Sequence, residues 1–296
     1  MEKDLIIGAF TNYTDYDVLK PWVQSIKDSG FEGDTVLIAI GTSDELVSRL
    51  VEEGVGVVRV PKSDQMMVHM LRFIHIYNFL KEHGHNYRYV ISTDVRDVIF
   101  QKNPTDYLKK TLLPCESNSL LVSSESISIK NEEWNRDNIL KNFGHYFYSE
   151  VMEADVCNVG ILAGRSKAIQ ALCFDLFHYS SNRPDWVADQ AAYNILVNSE
   201  KWKNISLQTR MKDAWALNAH VSNKPDLIEK LSLYLLEERP YFNGVQVVNS
   251  SGDPFVIVHQ YDRVPEWMEY FSDKYGINIT KDTNTGTSPK YTLSKQ

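Results

Sequence analysis

An α/β fold, a single α/β/α domain with a mostly parallel central sheet, follows from three features of the sequence. Short apolar runs alternate with helix-patterned segments through the first hundred residues. Each apolar run ends in a polar turn, as buried parallel strands do. No glycine- or proline-rich linker and no internal repeat divides the chain, so residues 1–280 read as one domain and 281–296 as a disordered tail.

The elements follow in order. Leu5–Ala9 is a buried strand, and TNYTDYD after it is a loop. Val18–Asp28 has helical spacing through Leu19, Trp22, Val23 and Ile26. Thr35–Ile40 is a second strand. Ser43 and Asp44 can cap the helix DELVSRLVEEG, which Gly54 ends. Val55–Val60 is a third strand, Val68–His83 a long helix, and Tyr89–Thr93 a fourth strand. Later, Leu120–Ser124 and Val156–Ala163 read as strands around a polar insertion with a helix in NEEWNRDNILKNFGHYF. Ser166–Tyr179 and Asp189–Asn198 read as helices, and Pro254–Val258 as a late strand. KDTNTGTSPKYTLSKQ has no apolar periodicity.

Composition narrows the function. The 296 residues are 43% hydrophobic and 24% charged, an ordinary globular balance. A net charge of −8 argues against a nucleic-acid partner. It does not argue against phosphate ligands, because acidic groups can bind a divalent cation that then holds the phosphates. Cys115, Cys157 and Cys173 have no metal-like spacing and read as reduced thiols. The N-terminus has no signal-peptide run, and no stretch nears the ~20 apolar residues of a membrane span. A soluble, cytoplasmic protein is the expectation. The N-x-S/T sequons at Asn12, Asn204, Asn249 and Asn278 then read as chance matches. There is no GxGxxG and no GxxxxGK[ST], which weakens dinucleotide-binding and P-loop readings.

The strongest chemical signal is YVISTDVRDVIFQKNP. A buried strand ends at Thr93, and Asp94 and Asp97 follow at once. Carboxylates beyond a strand's carboxyl end suit a Mg²⁺ or Mn²⁺ that bridges phosphates. An Asp-capped turn with Arg96 paired to one carboxylate fits the same residues.

This segment resembles the DxD region of GT-A (nucleotide-diphospho-sugar transferase) glycosyltransferases. The spacing here is Asp-x-x-Asp, and alignment of the following VIF makes Asp97 the counterpart of the family's last Asp, with Asp94 one residue out of step. CNVGILAGRS resembles the family's N-x-G strand, pointing to Asn158 and Gly160. ADQAAYN resembles a D-Q helix start near the sugar, pointing to Asp189 and Gln190 as catalytic. VIVHQYDR resembles the late strand that brings a His to the metal, pointing to His259. SSESISIKNEEWN and HQYDR resemble in particular a group of virus-encoded glycosyltransferases and relatives. The resemblance covers residues 4–265 and implies transfer of a hexose from a UDP-sugar, with Mn²⁺ or Mg²⁺ as cofactor, to the hydroxyl of a glycan or other acceptor. The outcome is open between retaining and inverting; the His259-type ligand and the Asn158/Asp189 pattern lean towards retaining, in which case Asp189 or Gln190 would stabilise the cationic sugar.

Further residues acquire expected roles. A neutral His259 is an acceptable third ligand to the metal beside Asp94 and Asp97, although a buried His bonded to a carbonyl is the plainer role. Arg72, on the 68–83 helix, reaches the donor diphosphate or is a solvated surface Arg. Thr11 and Tyr13 contact the nucleotide or pack their loop. Glu125, Glu133, Trp134 and Asp213 belong to the acceptor side, with Trp134 as platform or core residue and a carboxylate as general base. His69, His75, His83, His85, His145, His178 and His220 read as surface or packing residues. Two rivals stand beside the transferase: a sugar-1-phosphate nucleotidyltransferase, whose GxGTR-like loop is here FTNYTDYD, and an inactive sugar-binding protein of the same fold.

Overall fold

The structure is a computed structural model that describes residues 2–62, 68–114, 117–185 and 187–277, with the backbone of two short strands, Ile279–Thr280 and Thr292–Leu293. Cys115 and Asn278 lie outside the described residues. So does nearly all of the 281–296 tail, apart from Thr292–Leu293, which pairs antiparallel with Ile279–Thr280.

The first half runs β1 (Lys3–Thr11), α1 (Lys20–Asp28), β2 (Asp34–Ile40), α2 (Asp44–Glu52), β3 (Gly56–Val60), α3 (Val68–His83) and β4 (Tyr87–Thr93). Ser43 caps α2 by accepting from the Leu46 N–H, and Gly54 follows with φ +82°, as the sequence suggests. All three pairings among these strands are parallel, in the order β3-β2-β1-β4. The chain builds outward from β1 and then crosses back through α3 to β1's other edge. That reversal leaves a crevice beyond the carboxyl ends of β1 and β4.

The second half runs β5 (Val98–Phe100), α4 (Pro104–Leu112), β6 (Leu120–Ser128), α5 (Glu133–Val151), β7 (Asp155–Cys157), β8 (Ile161–Arg165), α6 (Ser166–Ser180) and α7 (Ala188–Asn198). It ends with α8 (Glu200–Lys203), β9 (Ser206–Thr209), β10 (Ala216–Asn218), α9 (Ala219–Asn223), α10 (Pro225–Leu231), β11 (Tyr241–Phe242), β12 (Val247–Val248), β13 (Ile257–His259) and α11 (Pro265–Tyr275). β8 continues the main sheet antiparallel to β4, followed by β6 and β7, with β9 parallel to β6. The sheet is therefore mixed, with the pairings among β1 to β4 all parallel. A second sheet, β10-β13-β5, stands beside it.

Alternation along β1 sends Leu5 and Ile7 to one core and Ile6 to the other, so the sheet lies between two helical layers. One layer packs α3, α6 and α7 on the sheet; the other packs α1, α2 and α4. No helix among the described residues is long and apolar enough to cross a membrane.

Several boundaries differ from the sequence reading, three of them with a clear local setting. Val156–Ala163 is not one strand. It breaks into β7 and β8 at Asn158–Gly160, where Asn158 Oδ1 accepts from the Gly160 N–H at 2.8 Å and replaces the strand ladder. The expected helix in 131–147 extends to Val151, and Gly144 (φ 80°, ψ 178°) interrupts it. The late strand starts at Ile257 and includes His259, because the Val256 N–H bonds the Ala214 and Trp215 carbonyls before regular pairing begins.

Candidate active site

Pairing register assembles the site. Thr93, the last residue of β4, pairs with Ile161, the first of β8, so Gly160 sits beside Asp94; the Asp94 N–H donates to the Gly160 carbonyl at 2.8 Å. Val98 of β5 pairs with His259 of β13, and the Gln260 N–H donates to the Asp97 carbonyl at 2.6 Å. His259 also pairs in register with Asn218 of β10. Ser124 pairs with Cys157, which sets Glu125 beside Asn158. α7 opens with Asp189 and Gln190, and α3 presents Arg72 from its second turn.

Asp94, Asp97 and His259 converge: one ligand atom from each lies within 4.8 Å of the others. His259 Nε2 is 3.4 Å from an Asp94 oxygen and 3.6 Å from an Asp97 oxygen. Its Nδ1 lies 2.9 Å from Asn218 Oδ1. A carboxamide oxygen only accepts, so Nδ1 carries the hydrogen it donates. The lone pair of a neutral His259 then points from Nε2 towards two carboxylates, which is repulsive unless a proton or a metal cation lies between them. Hard oxygens with one imidazole nitrogen suit Mn²⁺ or Mg²⁺. Gly160 makes room for the ring: a Cβ there would stand 2.3 Å from His259 Cε1.

The electrostatics follow from burial and pairing. Burial disfavours charge on His259, yet Asp97 and Asp94 raise its pKa above the usual imidazole value. Burial likewise opposes charge on Asp94, and the adjacent Arg72 guanidinium overcomes it, holding the carboxyl well below its usual range. Arg72 is itself buried, not the surface residue the sequence allowed. It bonds Asp94 through one terminal nitrogen and Asp189 Oδ2, at 2.9 Å, through the other. Burial raises Asp189. Asp97 is also held by Arg96 at 3.2 Å, and Arg96 reaches Asp262 at 3.3 Å. This Arg96–Asp97 pair, which the turn reading expected, coexists with the cluster.

The cluster borders a cavity of about 900 Å³. Arg72, Asp94, Glu125, Asn158, Asp189 and Gln190 line it, as do Trp134, Gly160 and His259. Glu125 is buried and accepts from Asn158 Nδ2 at 2.7 Å; burial pushes its pKa up to about 7. Gln190 accepts from the Val159 N–H at 3.0 Å and donates to Asn135 and to the Cys157 carbonyl. Its amide is thus committed to holding the β7–β8 turn. Trp134 is half exposed at the cavity wall and is not a core residue.

Thr11, Tyr13, Glu133 and Asp213 do not line this cavity. Thr11 Oγ1 donates to the Ile40 carbonyl, and Tyr13 stacks on Phe10. Asp213 is exposed on a turn, where its carboxylate accepts from the Arg210 N–H. Glu133 pairs with Lys230 outside the cavity. The structure adds His69 and His220 to the cavity wall, both read from sequence as packing or surface residues. Burial depresses both imidazoles, His220 to about 4. It also adds Asn218, whose ALN context carries no chemical signal. No protein-family model matches the chain, and no curated protein does either.

Proposed function

We propose that the chain is a GT-A-type glycosyltransferase that moves a hexose from a nucleotide-sugar, UDP-linked by preference, to an acceptor hydroxyl. The observation that carries this reading is the convergence of His259 Nε2 with the Asp94 and Asp97 carboxylates, beside a large cavity at the reversal of strand order. Asp94, Asp97 and His259 would hold Mn²⁺ or Mg²⁺. When bound, that cation neutralises charge on the departing nucleoside diphosphate. Arg72, freed from Asp94, can turn a planar fork of donors to the same phosphates. Glu125 lines the cavity with a pKa near neutrality, which suits it to accept the acceptor's hydroxyl proton. Asn158 fixes Glu125 and, through Gly160, ties it to the cation ligands.

The test is a panel of nucleotide-sugars with Mn²⁺, read by nucleoside diphosphate release and by thermal shift. Release with one UDP-sugar, abolished by EDTA and restored by Mn²⁺, is the expected result. Full turnover in excess chelator, or no response to any donor, counts against the reading.

A further inference from the structure

Trp134 stands where two cavities meet. Beyond the inner cavity lies another of about 460 Å³, and Glu132, Trp134, Val187, His220 and Lys224 line both. Together they form one groove from Glu125 outward between α5 and α10. Trp134 is 50% exposed although it sits in the first turn of a long helix. Its backbone is fixed: Glu132 caps α5, accepting from the Trp134 N–H at 3.4 Å and the Asn135 N–H at 2.7 Å. A rigid helix end thus holds a flat apolar face open to the groove.

The charge pattern selects the ligand class. Each lysine lining the outer cavity is already paired: Lys230 with Glu133 at 2.5 Å, Lys141 with Asp185 at 2.7 Å and Lys224 with Asp226 at 2.9 Å. A groove built for a polyanion would leave its cations available to the ligand. Here the pairs present polar edges without a net attractive field, around one aromatic face. That combination fits a neutral polyhydroxyl chain, whose ring faces are apolar and whose hydroxyls lie at the edges.

We infer that this groove binds a neutral oligosaccharide acceptor of at least two units, with the reacting unit over Glu125 and the next stacked on Trp134. The inference rests on the transferase reading for its word "acceptor". A single sugar in the inner cavity would leave the outer one unused.

The test uses the full chain, fluorescently labelled, on an array of neutral mono- to tetrasaccharides, uronate- and sulfate-bearing oligosaccharides, and Ser/Thr peptides. Retention on neutral chains of two or more units over monosaccharides is expected. Trp134→Ala should weaken it about tenfold and Trp134→Phe should restore most of it. Because the residue is half exposed, the melting temperature of Trp134→Ala without ligand should match the parent's. Preference for anionic chains or peptides, equal retention of monosaccharides, no retention at all, or an unchanged Trp134→Ala overturns the inference. A parallel UDP-plus-Mn²⁺ thermal shift on the parent protein separates the two readings. Loss of the shift with chain binding intact removes the transferase and leaves the groove; the reverse removes only the groove.

Discussion

Gly160 and Glu125 carry the sharpest consequences at the scale of single residues. A methyl group at 160 would meet His259 at 2.3 Å and Asn158 Oδ1 at 3.0 Å, so Gly160→Ala must displace the ring. Overpacking of this kind costs ~1–3 kcal/mol. The variant is expected to melt somewhat lower and to need much more Mn²⁺ for the same thermal shift; an unchanged Mn²⁺ titration would separate Gly160 from the cation. Glu125 makes a pH prediction. Its folded pKa, about 7, lies above the ordinary 4.5. A raised folded pKa gives stability that is complete below pH ~4.5 and is lost as pH rises through ~7, about 3 kcal/mol in all. Glu125→Gln cannot ionise, so its stability should change less between pH 5 and pH 8 than the parent's. Parallel melting curves of the two proteins against pH would disprove the shift. Asp94, Asp97 and His259 stand out in the sequence because each sits at the end of an apolar run: Asp94 just after β4, Asp97 just before β5 and His259 closing β13, where a polar side chain needs a reason. Asn218 was not, because its significance comes only from a register partner 41 residues away.

Elements show why spacing succeeded in some places and failed in others. α3 ends at His83 as expected from apolar spacing, and β4 ends at Thr93 as its polar turn required. The break between β7 and β8 stayed hidden because Val159 and the flanking valines and isoleucines continue the apolar run. What interrupts the strand is the Asn158 side chain bonding its own neighbouring backbone. The Gly144 break in α5 is similar. Its φ of 80° with ψ of 178° is open in practice only to glycine, and no atom outside its neighbours comes within 4 Å of the position a Cβ would take. Gly144→Ala is therefore expected to cost ~1–3 kcal/mol from backbone strain alone. Chemical denaturation checks this, and an unchanged midpoint would mean that α5 straightens without penalty. Arg72 marks the limit of pattern reading for a helix. Sequence places it on α3 but not on which side, since α3 carries apolar residues on more than one face. Only the packing of α3 between β1 and α6 decides that Arg72 faces inward.

At the scale of the molecule, separate layers supply the site. β4 and β5 give the carboxylates, β13 the imidazole, α3 and α7 the Arg72–Asp189 pair, and β6 Glu125. A ligand that bridges these layers should stabilise the fold as a whole. UDP and Mn²⁺ together, at a hundred times their dissociation constants, should add ~2.7 kcal/mol, visible as one cooperative shift in melting temperature. A biphasic melt with only one phase moving would show that the layers unfold independently. The Arg72 bridge from Asp94 to Asp189 gives the site a further property. If Asp94, Asp97 and His259 hold a cation, Arg72 is a tethered competitor for it, a guanidinium that cannot diffuse away and whose local concentration dilution cannot lower. A divalent ion arriving alone must displace it and leave it buried. An ion arriving with a diphosphate offers the guanidinium a new anion to move to. On the transferase reading, cation and nucleotide should then load as a pair, each tightening the other, so a divalent metal alone would occupy little of the site until a nucleotide-sugar is present.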